Sequence, residues 1–212
     1  GFIWVPFIAV SAFAAWFGMN DIASAKASFA EQSVIFQRRH NWVMCWLYTG
    51  TFGSFIGYSA AFPLLSKTVF PEVNALQYAF LGPLVGALSR SLTGWVADRW
   101  GGARVTFWVF VAMSAGALGV VHFLGERDFT GFFAMFLLLF LASGVGNAST
   151  FQMIPAILRK DMDRLMPQAS AEDRRVQADK ESAAIIGFTS AIAAYGAFFI
   201  PKAYGTSIGL TG

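Results

Sequence analysis

Charge is what this chain has least of. Asp, Glu, Lys and Arg make up only 13% of its 212 residues, against 56% hydrophobic and 17% aromatic. With a mean hydropathy of +0.56, that balance excludes an ordinary soluble domain of this size. Cysteine is nearly absent: Cys45 alone, inside an apolar run, leaves no internal disulfide and no cysteine-based metal site. The sequence also lacks ten-residue alternating strands of a membrane barrel, low-complexity tracts, an initiator Met and a signal peptide. No paired carboxylates, histidine-rich set or activated nucleophile lies in or beside an apolar run, which argues against a membrane-embedded enzyme and for no cofactor. The formal charge of +3 is carried by short connections, so membrane topology accounts for it better than nucleic-acid binding.

What is present is a series of apolar windows about 20 residues long, the length that crosses a hydrocarbon core as a helix. Six are expected: Gly1–Gly18, Trp42–Leu65, Ala75–Ala97, Val105–Leu124, Gly131–Leu158 and Ser182–Tyr204. The fold class is therefore all-α, a polytopic transmembrane helical bundle. The connections Met19–Asn41, Asp98–Arg104 and Arg159–Glu181 hold eleven Lys and Arg, whereas the opposite set holds Lys67, Arg127 and Lys202. The first set is thus cytoplasmic. Its two longer members have room for short amphipathic helices. Because Gly1 already lies in an apolar window and 208–212 begins another connection, the chain is expected to be an inner stretch of a longer polypeptide. His40 and His122 are expected to cap helices or face water.

Arg90 is the outstanding residue. It lies in Ala87-Leu88-Ser89-Arg90-Ser91, deep in the third window, where a guanidinium costs about 2.5–3.5 kcal/mol and so faces a cavity or a partner rather than lipid. It precedes the window's cytoplasmic end by about 12 Å of helix, near midplane depth. A membrane protein that handles an anion is the reading. No Asp or Glu lies in any of the six windows. Downstream, Gly94-x-x-x-Asp98-Arg99-x-Gly101-Gly102-x-Arg104 combines a tight turn with groups that can pair across helix ends. The fifth window contains Gly144, Gly146, Asn147, Ser149, Thr150 and Pro155, small and polar residues that suit close helix packing and a local bend.

The Asp98–Arg104 segment resembles the cytoplasmic loop motif of the major facilitator superfamily. Phe-Gly-Ser-Phe-Ile-Gly-Tyr-Ser at 52–59, Ala-Leu-Ser-Arg-Ser at 87–91, Ser-Thr-Phe-Gln-Met-Ile at 149–154 and Phe-Phe-Ile-Pro-Lys-Ala-Tyr-Gly at 198–205 together resemble its NarK-type nitrate/nitrite porters. The resemblance implies that 1–18 is the last helix of the N-terminal half, 19–41 the cytoplasmic inter-half linker, and 42–212 the C-terminal half through helix eleven. The family's nitrate signature maps onto Gly187–Phe198, retaining Gly187, Ser190 and Gly196, while Ala193 and Ala197 stand where the family often has glycine.

The resemblance further implies a bacterial inner-membrane carrier, monomeric, embedded in the bilayer and completed by the N-terminal half, which exchanges nitrate for nitrite by alternating access. Proton/nitrate symport, or carriage of another small anion, remains open. Arg90 is the expected anion ligand, since a planar guanidinium donates parallel hydrogen bonds to a planar oxyanion. Tyr48 and Phe52, four residues apart and on one helix face, are core packing by spacing alone and walls of the anion slot by resemblance. Asn147 and Ser190 are either interhelical glue or substrate contacts, Gly187 belongs to the signature, and Asp98, Arg99 and Arg104 are assigned to the cytoplasmic gate.

Overall fold

The computed structural model describes residues 2–19 and 28–211, and every regular element among them is helical. In chain order these are α1 (Trp4–Gly18), α2 (Phe29–Ser33), α3 (Arg39–Tyr48), α4 (Ser54–Val69), α5 (Leu81–Leu92), α6 (Gly94–Trp100), α7 (Gly102–Gly125), α8 (Phe129–Leu165), α9 (Ala171–Ala194) and α10 (Gly196–Thr211). Part of the expected linker, with Lys26, lies outside the described residues. The chain is an all-α membrane-helix bundle.

Among the described residues, three stretches are long and apolar enough to cross a bilayer: Gly102–Gly125, Phe129–Leu165 and Ala171–Thr206, the last formed by α9 running into α10. The first window yields α1, 15 residues with none buried. The second and third windows are interrupted. A π-helical turn, Thr49–Gly53, joins α3 to α4. The third does not begin as helix at Ala75: residues 75–77 form a 3₁₀ turn and α5 starts at Leu81, which places Pro83 in a first turn where its missing N–H costs no intrahelical bond. That helix then breaks at Thr93, whose Oγ1 donates to the Ser89 carbonyl at 2.6 Å, and whose φ of −106° and ψ of 8° leave the helical region before Gly94.

The connection Arg159–Glu181 is also different from expectation. It is not a free segment with short helices of its own, because α8 and α9 extend into it and leave only 166–170 between them. Ser170 caps α9 by accepting from Asp173 N, with Glu172 and Asp173 in the first turn, where carboxylates suit the helix dipole. Arg159 pairs with Asp179 at 3.3 Å and Arg174 with Asp163 at 3.2 Å across this hairpin.

Two apolar clusters hold the bundle. In the first, Phe62, Phe132 and Phe136 interlock, with Phe62–Phe132 stacked at 5.7 Å and Phe132–Phe136 at 4.9 Å. In the second, Ile35 and Met44 pack with Ile154, Leu158, Met162, Ala178 and Ile185, tying the linker to α3, α8 and α9. Close approach between α5 and α8 depends on glycine: a Cβ on Gly144 would strike Ser89 Oγ and the Gly86 carbonyl. Ser89 Oγ donates both to Gly86 O at 2.9 Å and to Leu141 O at 3.2 Å, using its hydroxyl as interhelical glue.

Candidate functional site

Arg90 occupies the last turn of α5. There the unpaired carbonyls and the negative end of the helix dipole favour a cation, so the break at Thr93 lowers the cost of a charge at membrane depth. Its guanidinium carbon sits 5.2 Å from the centroid of the Phe151 ring on α8, within cation–π range. Arg90 forms no ion pair among the described residues. It is half-buried, with nothing negative against it.

Tyr48 is the hub of the site. At 2% exposure its ring lies between two others, stacked on Phe52 at 5.1 Å and 10° and on Phe151 at 4.4 Å and 22°. Tyr48 and Phe52 therefore do not face each other across a gap. They form one continuous aromatic wall, in direct stacking contact, and no anion fits between them. The π-helical turn Thr49–Gly53 follows Tyr48 and contains Phe52, a local irregularity of the kind that gathers at functional sites.

The Tyr48 hydroxyl faces both the Arg90 guanidinium and the Ser190 hydroxyl, so three side chains from α3, α5 and α9 converge. Ser190 Oγ donates to Ile186 O at 2.7 Å. With its proton engaged there, Ser190 offers lone pairs, which suit the Tyr48 hydroxyl and not an anion. Asn147 is 2% exposed and its Oδ1 has no partner; it lies one turn before Phe151 on the same face of α8. Gly187 opens on free space, with nothing within 4 Å of where a Cβ would sit. Asp98, Arg99 and Arg104 are exposed, and none of the three pairs with another.

The junction of α9 and α10 comes close to Gly53 despite Ala193 and Ala197. A Cβ on Gly196 would lie 2.5 Å from Gly53 Cα, and one on Gly53 would lie 3.0 Å from Ala193 O. The contact is made by Gly53 and Gly196, so Ala193, itself fully buried, does not prevent it. Sequence reasoning missed Phe151 as a site residue, although it stands in the quoted 149–154 motif and four residues after Asn147. His40 also departs from expectation: it is in the first turn of α3 and bonds Asp161 Oδ2 through Nδ1 at 2.8 Å. His122 is exposed, 3.4 Å from Glu126.

No family model matches the chain. Against individual proteins it is 48% identical over 215 residues to the nitrate/nitrite transporter NarU of Salmonella typhimurium and equally to that of Escherichia coli, matching 99% of this chain and 46% of each relative. The chain is a homologue of the NarK-type nitrate/nitrite porters. NarK2 of Thermus thermophilus, named a probable nitrate/nitrite antiporter, is 39% identical over 204 residues, 93% of this chain and 42% of that protein. The chain thus spans about half the length of the curated relatives it matches.

Proposed function

We propose that this chain is the C-terminal half, with helix six and the linker, of a bacterial inner-membrane carrier that exchanges nitrate for nitrite. The carrying observation is Arg90, a half-buried guanidinium without a counter-ion among the described residues, braced on Phe151 and facing Tyr48. Nitrate and nitrite are small, flat, delocalised anions. The guanidinium donates in-plane hydrogen bonds to two of their oxygens, and the Tyr48 hydroxyl becomes a further donor when its one proton turns from Ser190 to the anion. Phe52, at the end of the stack, supplies a flat apolar wall. Asn147 contributes its amide, and the open space at Gly187 lets the anion approach the backbone of α9. The resemblance to NarK-type porters implies an opposite wall, with a second arginine, in the N-terminal half of the same polypeptide.

Exchange by alternating access follows from the charge balance. Two facing arginines disfavour closing the empty carrier, and a bound anion offsets part of that repulsion before the gates move. No carboxylate lies in the six apolar windows to relay a proton, and one relative bears the name of an antiporter. Asp98, Arg99 and Arg104, at the cytoplasmic mouth, act in the gate, with partners in the opposite half. The carrier works as a monomer, without a cofactor.

The test is nitrite-driven counterflow of labelled nitrate in proteoliposomes, using the full-length polypeptide at matched pH. Uptake that requires internal nitrite and disappears in Arg90→Ala is the expected result. Arg90→Lys is expected to lose most of the uptake too, because an ammonium lacks the planar fork. Uptake that follows an imposed proton gradient without internal nitrite would replace exchange with symport; no uptake of either anion would overturn the substrate assignment.

A further inference from the structure

A second, chemically different feature lies between α6, α7 and α8: a groove of about 530 Å³, lined by Trp100, Arg104, Trp108, Ala112, Leu138 and Leu141 among others. Arg90, Tyr48 and Ser190 take no part in it. Every lining side chain is apolar or aromatic except Arg104, which stands at one end.

Three observations define what fits. First, Arg104 has no ion-pair partner among the described residues, and it sits in the first turn of α7, with no acidic residue in that turn. A cation there opposes the helix dipole, while an anion beside it satisfies both. Second, Trp100 and Trp108 are 60% and 66% exposed on the cytoplasmic side, the arrangement of an interfacial aromatic belt. Third, Ala112 lies eight residues beyond Arg104, about 12 Å along α7, so the groove reaches from the headgroup level toward the midplane within one leaflet of about 15 Å.

We propose that this groove is a binding site for an anionic phospholipid of the cytoplasmic leaflet, with the lipid phosphate on the Arg104 guanidinium and one acyl chain lying along Trp108, Ala112, Leu138 and Leu141. Charge complementarity selects the headgroup, and the uninterrupted apolar lining accepts the chain. The site shares Arg104 with the proposed gate but none of the proposed anion contacts Arg90, Tyr48, Phe52, Asn147, Gly187 and Ser190, and its ligand is a membrane component.

The experiment places the full-length polypeptide in nanodiscs holding trace photoactivatable phosphatidylglycerol or phosphatidylcholine with identical acyl chains, and maps the crosslinked peptides. Phosphatidylglycerol is expected to label the α7 and α8 peptides at least fivefold more than phosphatidylcholine. Arg104→Ala is expected to bring the two lipids level, Arg104→Lys to keep half or more of the preference, and Leu141→Trp to reduce labelling with Arg104 intact. Equal labelling by both lipids, an unchanged preference in Arg104→Ala, or no label on α7 and α8 because another part of the polypeptide covers the groove would each overturn the proposal. If Leu141→Trp aggregates, the Arg104→Ala and Arg104→Lys pair decides. Labelling is read without transport, so its failure and that of the nitrate reading are separate results.

Discussion

Arg90 and Phe151 meet across α5 and α8, with the guanidinium carbon 5.2 Å from the ring centroid, while the same ring stacks on Tyr48 at 4.4 Å. One aromatic side chain therefore positions both polar groups of the candidate site. Cation–π contacts contribute about 0.5–2 kcal/mol, more where water is excluded. Phe151→Ala is expected to raise the half-saturation concentration for nitrate by about five- to tenfold on that scale, measured by counterflow in the full-length polypeptide, and Phe151→Trp to restore much of it.

Tyr48→Phe keeps the three-ring stack and removes only the hydroxyl that faces Arg90 and Ser190. A hydrogen bond to a charged group is worth about 1.5–3 kcal/mol, so anion affinity is expected to fall about tenfold or more, with the melting temperature nearly unchanged. Ser190→Ala is expected to do less, because that hydroxyl already donates to Ile186 O. Equal losses in the two variants would contradict the assigned roles.

Three glycines separate packing from function. Gly196→Ala places a methyl 2.5 Å from Gly53 Cα, where backbone and not a flexible side chain would have to give. Overpacking of this kind costs about 1–3 kcal/mol, and thermal unfolding in detergent should register it. Gly53→Ala should lose less, its nearest neighbour being Ala193 O at 3.0 Å. Gly187→Ala meets nothing within 4 Å and is expected to leave stability intact, so any loss of transport it causes reports on the anion path.

Between the linker and α9, Arg38 Nε and Nη2 donate to the two carboxylate oxygens of Glu181, each at 2.8 Å, and Gln177 Nε2 donates to one of them at 3.0 Å. Glu181 is 2% exposed. Burial pushes its carboxyl up, but the Arg38 and Gln177 hydrogen bonds outweigh this and hold it below its ordinary value; the same pair raises Arg38. A carboxylate lowered by folding contributes stability above its unfolded pKa of about 4.3, and that stability is lost as pH falls through the lower folded value. Arg38→Met is expected to destabilise by about 3–5 kcal/mol at pH 7, since it leaves a buried charge unpaired. The deficit should shrink toward pH 4, as protonation of Glu181 removes that charge, in thermal melts taken across this range.

The corrected elements share a physical cause. The expected helix start at Ala75 followed hydropathy, which extends through Tyr78-Ala79-Phe80 without a break; the placement of Pro83 in a first turn was a readable signal. The extension of α8 and α9 through 159–181 was hidden because solvated charge reads as loop in a hydropathy window. Its helix is stabilised instead by the Ser170 cap and by pairs such as Arg159–Asp179, between residues twenty positions apart. Tyr48 and Phe52 were legible as neighbours on one face, yet their role as a single stacked wall depends on Phe151, which is about a hundred residues away in sequence.

By itself the sequence determined the solvent of this protein, its helical class and the singular position of Arg90. These follow from transfer free energies and backbone hydrogen bonding, which act within windows of about 20 residues. Tertiary structure alone decided which face of each helix meets which neighbour: that Arg90 rests on Phe151, that Tyr48 reaches it and Ser190, that Gly53 and Gly196 touch, and that Arg104 ends an apolar groove. Such contacts depend on the rotation and depth of helices remote in sequence, and those are set by close packing of small and aromatic side chains across the bundle.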